Sequence, residues 1–118
     1  MKRANVLLVE DNVGAAQALK LALEAYGFQV EVVHTGRETV GMLIHQKSDV
    51  IVVDLTLPDI DGAVVAEMVR RDWPDLPIIL TSGYAQPARI ADFLGKRNTA
   101  FLQKPYTIDA LIDAIEAP

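Results

Sequence analysis

The chain predicts a single α/β domain built on a doubly wound, five-stranded parallel β-sheet with five helices. Five apolar, strand-like runs alternate with five helix-like segments, and two of those runs, residues 6–9 and 50–53, are apolar at every position. Strict alternation implies parallel strands joined by right-handed crossovers, with helices on both faces. A continuously apolar run is what a strand covered on both faces requires. At 118 residues, the expectation is one domain over residues 1–118, ending with its fifth helix and leaving no room for an output domain.

The elements follow in order. After the first strand, residues 13–26 read as a helix with Ala16, Leu19, Ala22, Leu23 and Tyr26 on one stripe, stopped by Gly27. Leu21 is out of place, on the polar side with Gln17, Lys20 and Glu24. Residues 28–33 alternate apolar and polar, the pattern of a strand nearer the sheet edge. A second helix over residues 37–46 leads to the third strand, residues 50–53. Residues 62–73 form the third helix, with Trp73 packing at its end, and residues 77–80 the fourth strand. Residues 87–94 give a fourth helix, Pro87 suiting its first turn. Strand five covers residues 100–102. In the last helix Thr107 is the N-cap, Ile108, Leu111, Ile112 and Ile115 face the core, and Asp109, Asp113 and Glu116 face water.

Composition removes several functions. Hydrophobic residues make up 51% and charged residues 23%, a globular balance. A net charge of −5 argues against direct nucleic-acid binding, which needs a basic patch. No cysteine is present, which excludes disulfides, thiolate nucleophiles and cysteine-based zinc sites. The apolar run after Asn5 is too short for a signal peptide, and no stretch reaches membrane-spanning length. The expectation is a soluble, cytoplasmic protein with no membrane partner.

Chemistry concentrates at the strand ends. Glu10-Asp11 follows the first strand, Asp54 the third, Thr81-Ser82-Gly83 the fourth and Lys104-Pro105 the fifth. Parallel strands end on one edge of the sheet, so these side chains converge there. Three carboxylates at close range repel one another unless a cation relieves them. Mg²⁺, a hard ion that prefers oxygen, fits that need. Asp11 and Asp54 are expected as direct ligands and Glu10 as a direct or water-mediated one. Alone, Glu10-Asp11 would read as an acidic pair opening a helix; beside Asp54 and Lys104 it reads as a metal site.

Together these motifs resemble the receiver domain of two-component response regulators, chemotaxis-regulator-like, over nearly the whole chain. Any one of them is weak; four in the family's order and spacing are specific. The resemblance implies a flavodoxin-like sheet of order 2-1-3-4-5, which periodicity does not choose. It makes Asp54 the nucleophile that takes a phosphoryl group from phosphohistidine, giving an aspartyl phosphate. Lys104 and the Ser82 hydroxyl would clamp the transferring group, with Thr81 as the runner-up hydroxyl. The backbone carbonyl of Thr56 would be a further Mg²⁺ ligand. Ser82 and Phe101 would form the switch, moving together to alter the surface around the fourth helix, fifth strand and fifth helix; Phe101 reads equally well as an ordinary core residue. A cis peptide is implied before Pro105, and Thr56 and Tyr84 would tune the lifetime of the acyl phosphate.

The resemblance also implies the partners: a histidine kinase or phosphotransfer protein upstream, an effector protein downstream, and a homodimer on phosphorylation. Departures are mild. Glu10 replaces a more frequent Asp, Leu57 stands where Met is common, and Phe101 lacks the hydroxyl of the Tyr found in many receivers. The run from Thr81 to Ala85 resembles receivers fused to hybrid histidine kinases. Asp59 and Asp61 read as solvated loop charges, and His34 and His45 as surface or strand-end residues. The alternative is a phosphorylation-independent interaction module, which would not require Asp54, Asp11, Lys104 and Ser82 together. A haloacid-dehalogenase-type phosphohydrolase would need an Asp where Thr56 stands, and a dinucleotide-binding domain lacks its glycine motif.

Overall fold

Alternation along each buried strand decides which helices cover which face. The computed structural model describes residues 3–84, 90–94 and 98–117. Its elements are β1 (Asn5–Val9), α1 (Val13–Ala25), β2 (Gln29–Val33), α2 (Arg37–His45), β3 (Val50–Asp54), α3 (Gly62–Asp72), β4 (Ile78–Ser82), α4 (Ala91–Leu94), β5 (Thr99–Gln103) and α5 (Ile108–Glu116). The strands form one parallel sheet in the order β2-β1-β3-β4-β5. The alternating run is an edge strand, and β1 and β3, which carry the two continuously apolar runs, lie inside.

Leu7, Val9, Ile51, Val53, Ile78 and Leu80 point to the face covered by Leu43 of α2, by Val65, Ala66 and Val69 of α3, and by Phe93 of α4. Val6, Leu8, Val50, Val52 and Ile79 point to the other face, against Ala16 and Leu23 of α1 and Leu111, Ile112 and Ile115 of α5. Two cores therefore sandwich one sheet, and hydrophobic burial on both faces fixes the register of each strand. No described helix is long and apolar enough to cross a membrane.

Three expectations need correction. Where five full helices are expected, the described residues carry four, of 9 to 13 residues, and a single four-residue turn, α4. One turn is too short to hold itself by helical hydrogen bonding; buried Ile90 and Phe93 anchor it to the core. Pro87 lies outside the described residues. Tyr26 is not on the buried stripe: α1 ends at Ala25, Gly27 takes φ 94°, and the residue is 49% exposed. The positive φ turns the chain out of helical register one residue after Tyr26.

Asp59 and Asp61 are not merely solvated. Asp61 caps α3, accepting the Ala63 amide at 2.9 Å, and Asp59 accepts the amides of Gly36 and Arg37 at the start of α2. Asn12 caps α1 and Thr107 caps α5 in the same way, at 2.9 and 3.0 Å.

Arg70, near the end of α3, reaches across to the amino-terminal ends of β4 and β5. Its guanidinium donates to the carbonyls of Pro74 at 3.0 Å and Asn98 at 3.0 Å and to the Thr99 hydroxyl at 3.2 Å. Loops at the end of the sheet away from the charged strand ends are thereby tied to one helix.

Gly62 decides how closely α3 starts to β3. Its amide donates to the Leu55 carbonyl at 2.9 Å, and a Cβ there would lie 2.6 Å from Leu55 Cα and collide with the Asp54 carbonyl oxygen. These are backbone atoms with no rotamer by which to escape. Gly62→Ala is therefore expected to lower the free energy of unfolding by about 3 kcal/mol or more, read as a fall in the urea midpoint. A stability equal to that of the wild type would mean the helix does not need this close approach.

Candidate functional site

The carboxyl ends of β1, β3, β4 and β5 meet as the topology requires. β1 delivers Glu10, buried, and then Asp11, exposed; β3 ends in Asp54, itself buried. Strand β4 runs two residues further than its apolar stretch, so Thr81 and Ser82 both lie inside the sheet and are both buried. Asp54 is in register with Thr81, and Ser82 with Gln103. Past the end of β5, the Lys104 amide donates to the Ser82 carbonyl at 2.7 Å, and Lys104–Pro105 is a cis peptide.

Lys104 connects the carboxylates. Its ammonium lies 2.7 Å from Glu10 Oε1 and 2.7 Å from Asp54 Oδ2. The remaining oxygens take backbone donors: Asp54 Oδ1 accepts the Thr56 amide at 2.9 Å, and Glu10 Oε2 accepts the Asn12 amide at 3.1 Å. Each carboxylate is thus held in a fixed orientation by one charged and one neutral hydrogen bond. His34 adds a contact to the same strand end, its Nδ1 lying 2.8 Å from the Glu10 carbonyl, so this residue is more engaged than its sequence context implied.

The electrostatics match. Burial pushes the Glu10 carboxyl above its ordinary range, and the charge of Asp54 adds to that; Lys104 and the Asn12 amide oppose it. For Lys104, burial works downward, but the hydrogen bonds to Asp54 and Glu10 outweigh it and raise its pKa to about 12. The two carboxylates thus favour its charged form. Burial also raises the neighbouring Tyr106 phenol to about 12. Tyr106, Pro105, Ala15 and Leu19 line an open cleft of about 370 Å³ that reaches Glu10 and Lys104.

Carboxylate oxygens of Glu10, Asp11 and Asp54 all lie within 4.8 Å of one another. Three carboxylates against one ammonium leave the group at −2 (three negative charges less one positive), which a divalent cation would cancel. An all-oxygen donor set with one solvent-facing member suits a hard ion that retains water ligands. The residues present thus fit Mg²⁺.

Sequence reasoning missed Asn12, Arg70 and the helix-capping role of Asp59. An Asn directly before an apolar-periodic run is a legible cap signal. Arg70 adjoins the inward stripe of Val65, Ala66 and Val69, but nothing local says where its head goes. The partner of Asp59 is 22 residues away along the chain.

Comparison with known proteins agrees with this geometry. Residues 6–116 match the model of the response regulator receiver domain. Among curated relatives, response regulator MprA of Mycobacterium avium is 30% identical over 113 residues, covering 95% of this chain and 49% of that protein. The chain thus spans about half the length of the first curated relatives it matches. The receiver domain of the Francisella response regulator 1452 superposes with a TM-score of 0.85 at 27% identity, covering 96% of this chain and 93% of that one. A signal receiver domain of a signal transduction histidine kinase from Syntrophus aciditrophicus gives 0.84 at 29% identity, covering 97% and 88%. With its sheet order, its acidic cluster and this match, the chain belongs to the receiver domain family of two-component response regulators.

Proposed function

We propose that this domain, residues 1–118, takes a phosphoryl group onto Asp54 in a Mg²⁺-dependent reaction and thereby switches a surface read by an effector protein. The observation that carries the reading is the fixed constellation of Asp54, Glu10 and Asp11 with the Lys104 ammonium 2.7 Å from two of the three. The donor is a phosphohistidine on a histidine kinase or phosphotransfer protein, or a small acyl phosphate. A protein donor would reach Asp54 beside the cleft lined by Leu19, Pro105 and Tyr106. The setting is cytoplasmic, without direct contact to nucleic acid or membrane, and phosphorylation would favour a homodimer.

In the reaction an oxygen of the Asp54 carboxylate attacks phosphorus. The new O–P bond forms as the bond to the donor nitrogen or oxygen breaks, and the electron pair leaves with the donor. Lys104 supplies a charge already placed beside the acceptor, so little reorganisation is needed as the equatorial oxygens gain negative charge. Glu10, Asp11, Asp54 and the Thr56 carbonyl would hold Mg²⁺, which when bound neutralises phosphoryl charge. Hydrolysis by water later returns the carboxylate, so the domain catalyses its own phosphorylation and dephosphorylation and acts as a switch rather than a turnover enzyme.

The Ser82 hydroxyl is the proposed clamp on the third phosphoryl oxygen. In the present structure its oxygen accepts the Tyr84 amide at 3.1 Å. Phe101, half-buried against the core on the α3 face, is the proposed aromatic partner of the switch. Exchanging the Tyr84 contact for a phosphoryl contact would couple Ser82 to Phe101 as a population shift between two packings.

Incubation with acetyl phosphate and Mg²⁺, followed by intact-mass spectrometry, is expected to show one added phosphoryl group. Asp54→Asn and chelation of the metal should each abolish it; an adduct that survives Asp54→Asn would overturn the assignment. Lys104→Met should slow phosphoryl uptake roughly 100-fold yet tighten Mg²⁺ binding, because the ammonium and the metal share the same carboxylates. Calorimetric Mg²⁺ titration checks the second part, and weaker binding in Lys104→Met would contradict that sharing.

A further inference from the structure

Helix α2 begins without a cap of its own: Gly36, at its N-cap position, has no side chain to bond the first amides. Asp59 supplies both bonds from the segment between β3 and α3. Its Oδ1 accepts the Gly36 amide at 2.8 Å and its Oδ2 the Arg37 amide at 2.9 Å, while Arg37 Nε lies 3.7 Å from Oδ2. The Asp59 side chain is only 17% exposed. Burial works to raise its pKa, but the amide bonds outweigh it and hold the carboxyl below its usual range. The charge also faces the positive end of the helix dipole.

The contact is close as well as polar. A Cβ on Gly36 would lie 2.8 Å from Val65 Cγ2 and 3.3 Å from Ile60 Cβ, so the start of α2 packs directly on this segment and on α3. The segment's other end reaches the acceptor, where the Thr56 amide donates to Asp54 Oδ1 at 2.9 Å. Leu57 and Ile60 pack against the core, and Gly62 is bonded to the Leu55 carbonyl at 2.9 Å. Asp59 ties the exposed side of the same short loop to a second, independent helix.

We infer that Asp59 is a positioning residue for the phosphoacceptor: by capping α2 it fixes the segment carrying Thr56, and with it the orientation of the Asp54 carboxylate. This rests on the reading of Asp54 as the acceptor and Thr56 as part of the metal site. A misplacement of about 1 Å at such a site is enough to lower a rate by orders of magnitude. Arg37 contributes its amide rather than its charge, since its side chain is 80% exposed.

Amide exchange by NMR and Mg²⁺-dependent phosphorylation, on wild type, Asp59→Ala, Asp59→Asn and Arg37→Ala, test this. In Asp59→Ala the Thr56 amide should exchange about fivefold faster, the effect of losing one good cap. The Ala110 amide, bonded to Thr107 in the unrelated cap of α5, should not change. The half-saturating Mg²⁺ concentration should rise several-fold in Asp59→Ala, with a smaller loss of rate at saturating metal. Asp59→Asn, which keeps one acceptor oxygen, should recover part of both effects, and Arg37→Ala should resemble wild type. Unchanged Thr56 exchange in Asp59→Ala overturns the proposal. So does equal acceleration at Thr56 and Ala110, which would mark a general loosening. A wild type that takes up no phosphoryl group refutes the acceptor reading instead, and exchange at Thr56 still decides whether Asp59 fixes the segment.

Discussion

The Lys104 ammonium between Glu10 and Asp54 is the interaction on which the rest of this site depends. A parallel sheet sends every strand's carboxyl end to one edge, so carboxylates on β1 and β3 are forced together whatever their mutual repulsion. Lys104, 2.7 Å from each, compensates part of that charge and orients both groups. It compensates only part, since Asp11 and one further charge remain. That residual charge is what suits the site to a divalent cation. The sheet and the chemistry are two consequences of one topology.

Position at this edge is set by backbone as much as by side chains. Gly62 lets α3 start against the Asp54 and Leu55 backbone, and the Thr56 amide fixes one Asp54 carboxylate oxygen. Asp59 extends the same control outward to α2. Anchoring the segment between β3 and α3 to both α2 and α3 restricts its backbone freedom. Arg70 does comparable work at the opposite end of the sheet, tying the entrances of β4 and β5 to α3.

How much of this was legible in the chain follows from where each interaction is encoded. Four strands are legible as short contiguous apolar runs and β2 as an alternating one; the runs in β1 and β3 are clearest because burial on both faces leaves residues 6–9 and 50–53 without a polar position. The convergence of Glu10, Asp11, Asp54 and Lys104 was also readable, since it needs only strand ends and parallel topology. The order of the strands was not in the periodicity and came from the resemblance. Tyr26 misled because helical spacing carries the apolar stripe up to the residue before Gly27, whereas α1 ends at Ala25 and Tyr26 is its C-cap. Asp59 and Asp61 look alike in sequence, yet one caps the next helix and the other a helix 22 residues back. Local pattern carries the first kind of partnership and is blind to the second. The single turn at α4 shows the same limit: packing by Ile90 and Phe93, not spacing, holds what is described there.

The central claim is that Asp54, rather than its neighbours at the acidic edge, receives the phosphoryl group. Borohydride reduction of the phosphorylated protein converts an aspartyl phosphate to homoserine, and peptide mapping then locates it. Homoserine is expected at position 54 alone, with Asp11 and Glu10 recovered unchanged. Reduction at position 11, or at none of the three in protein that carries the added phosphoryl mass, would contradict it.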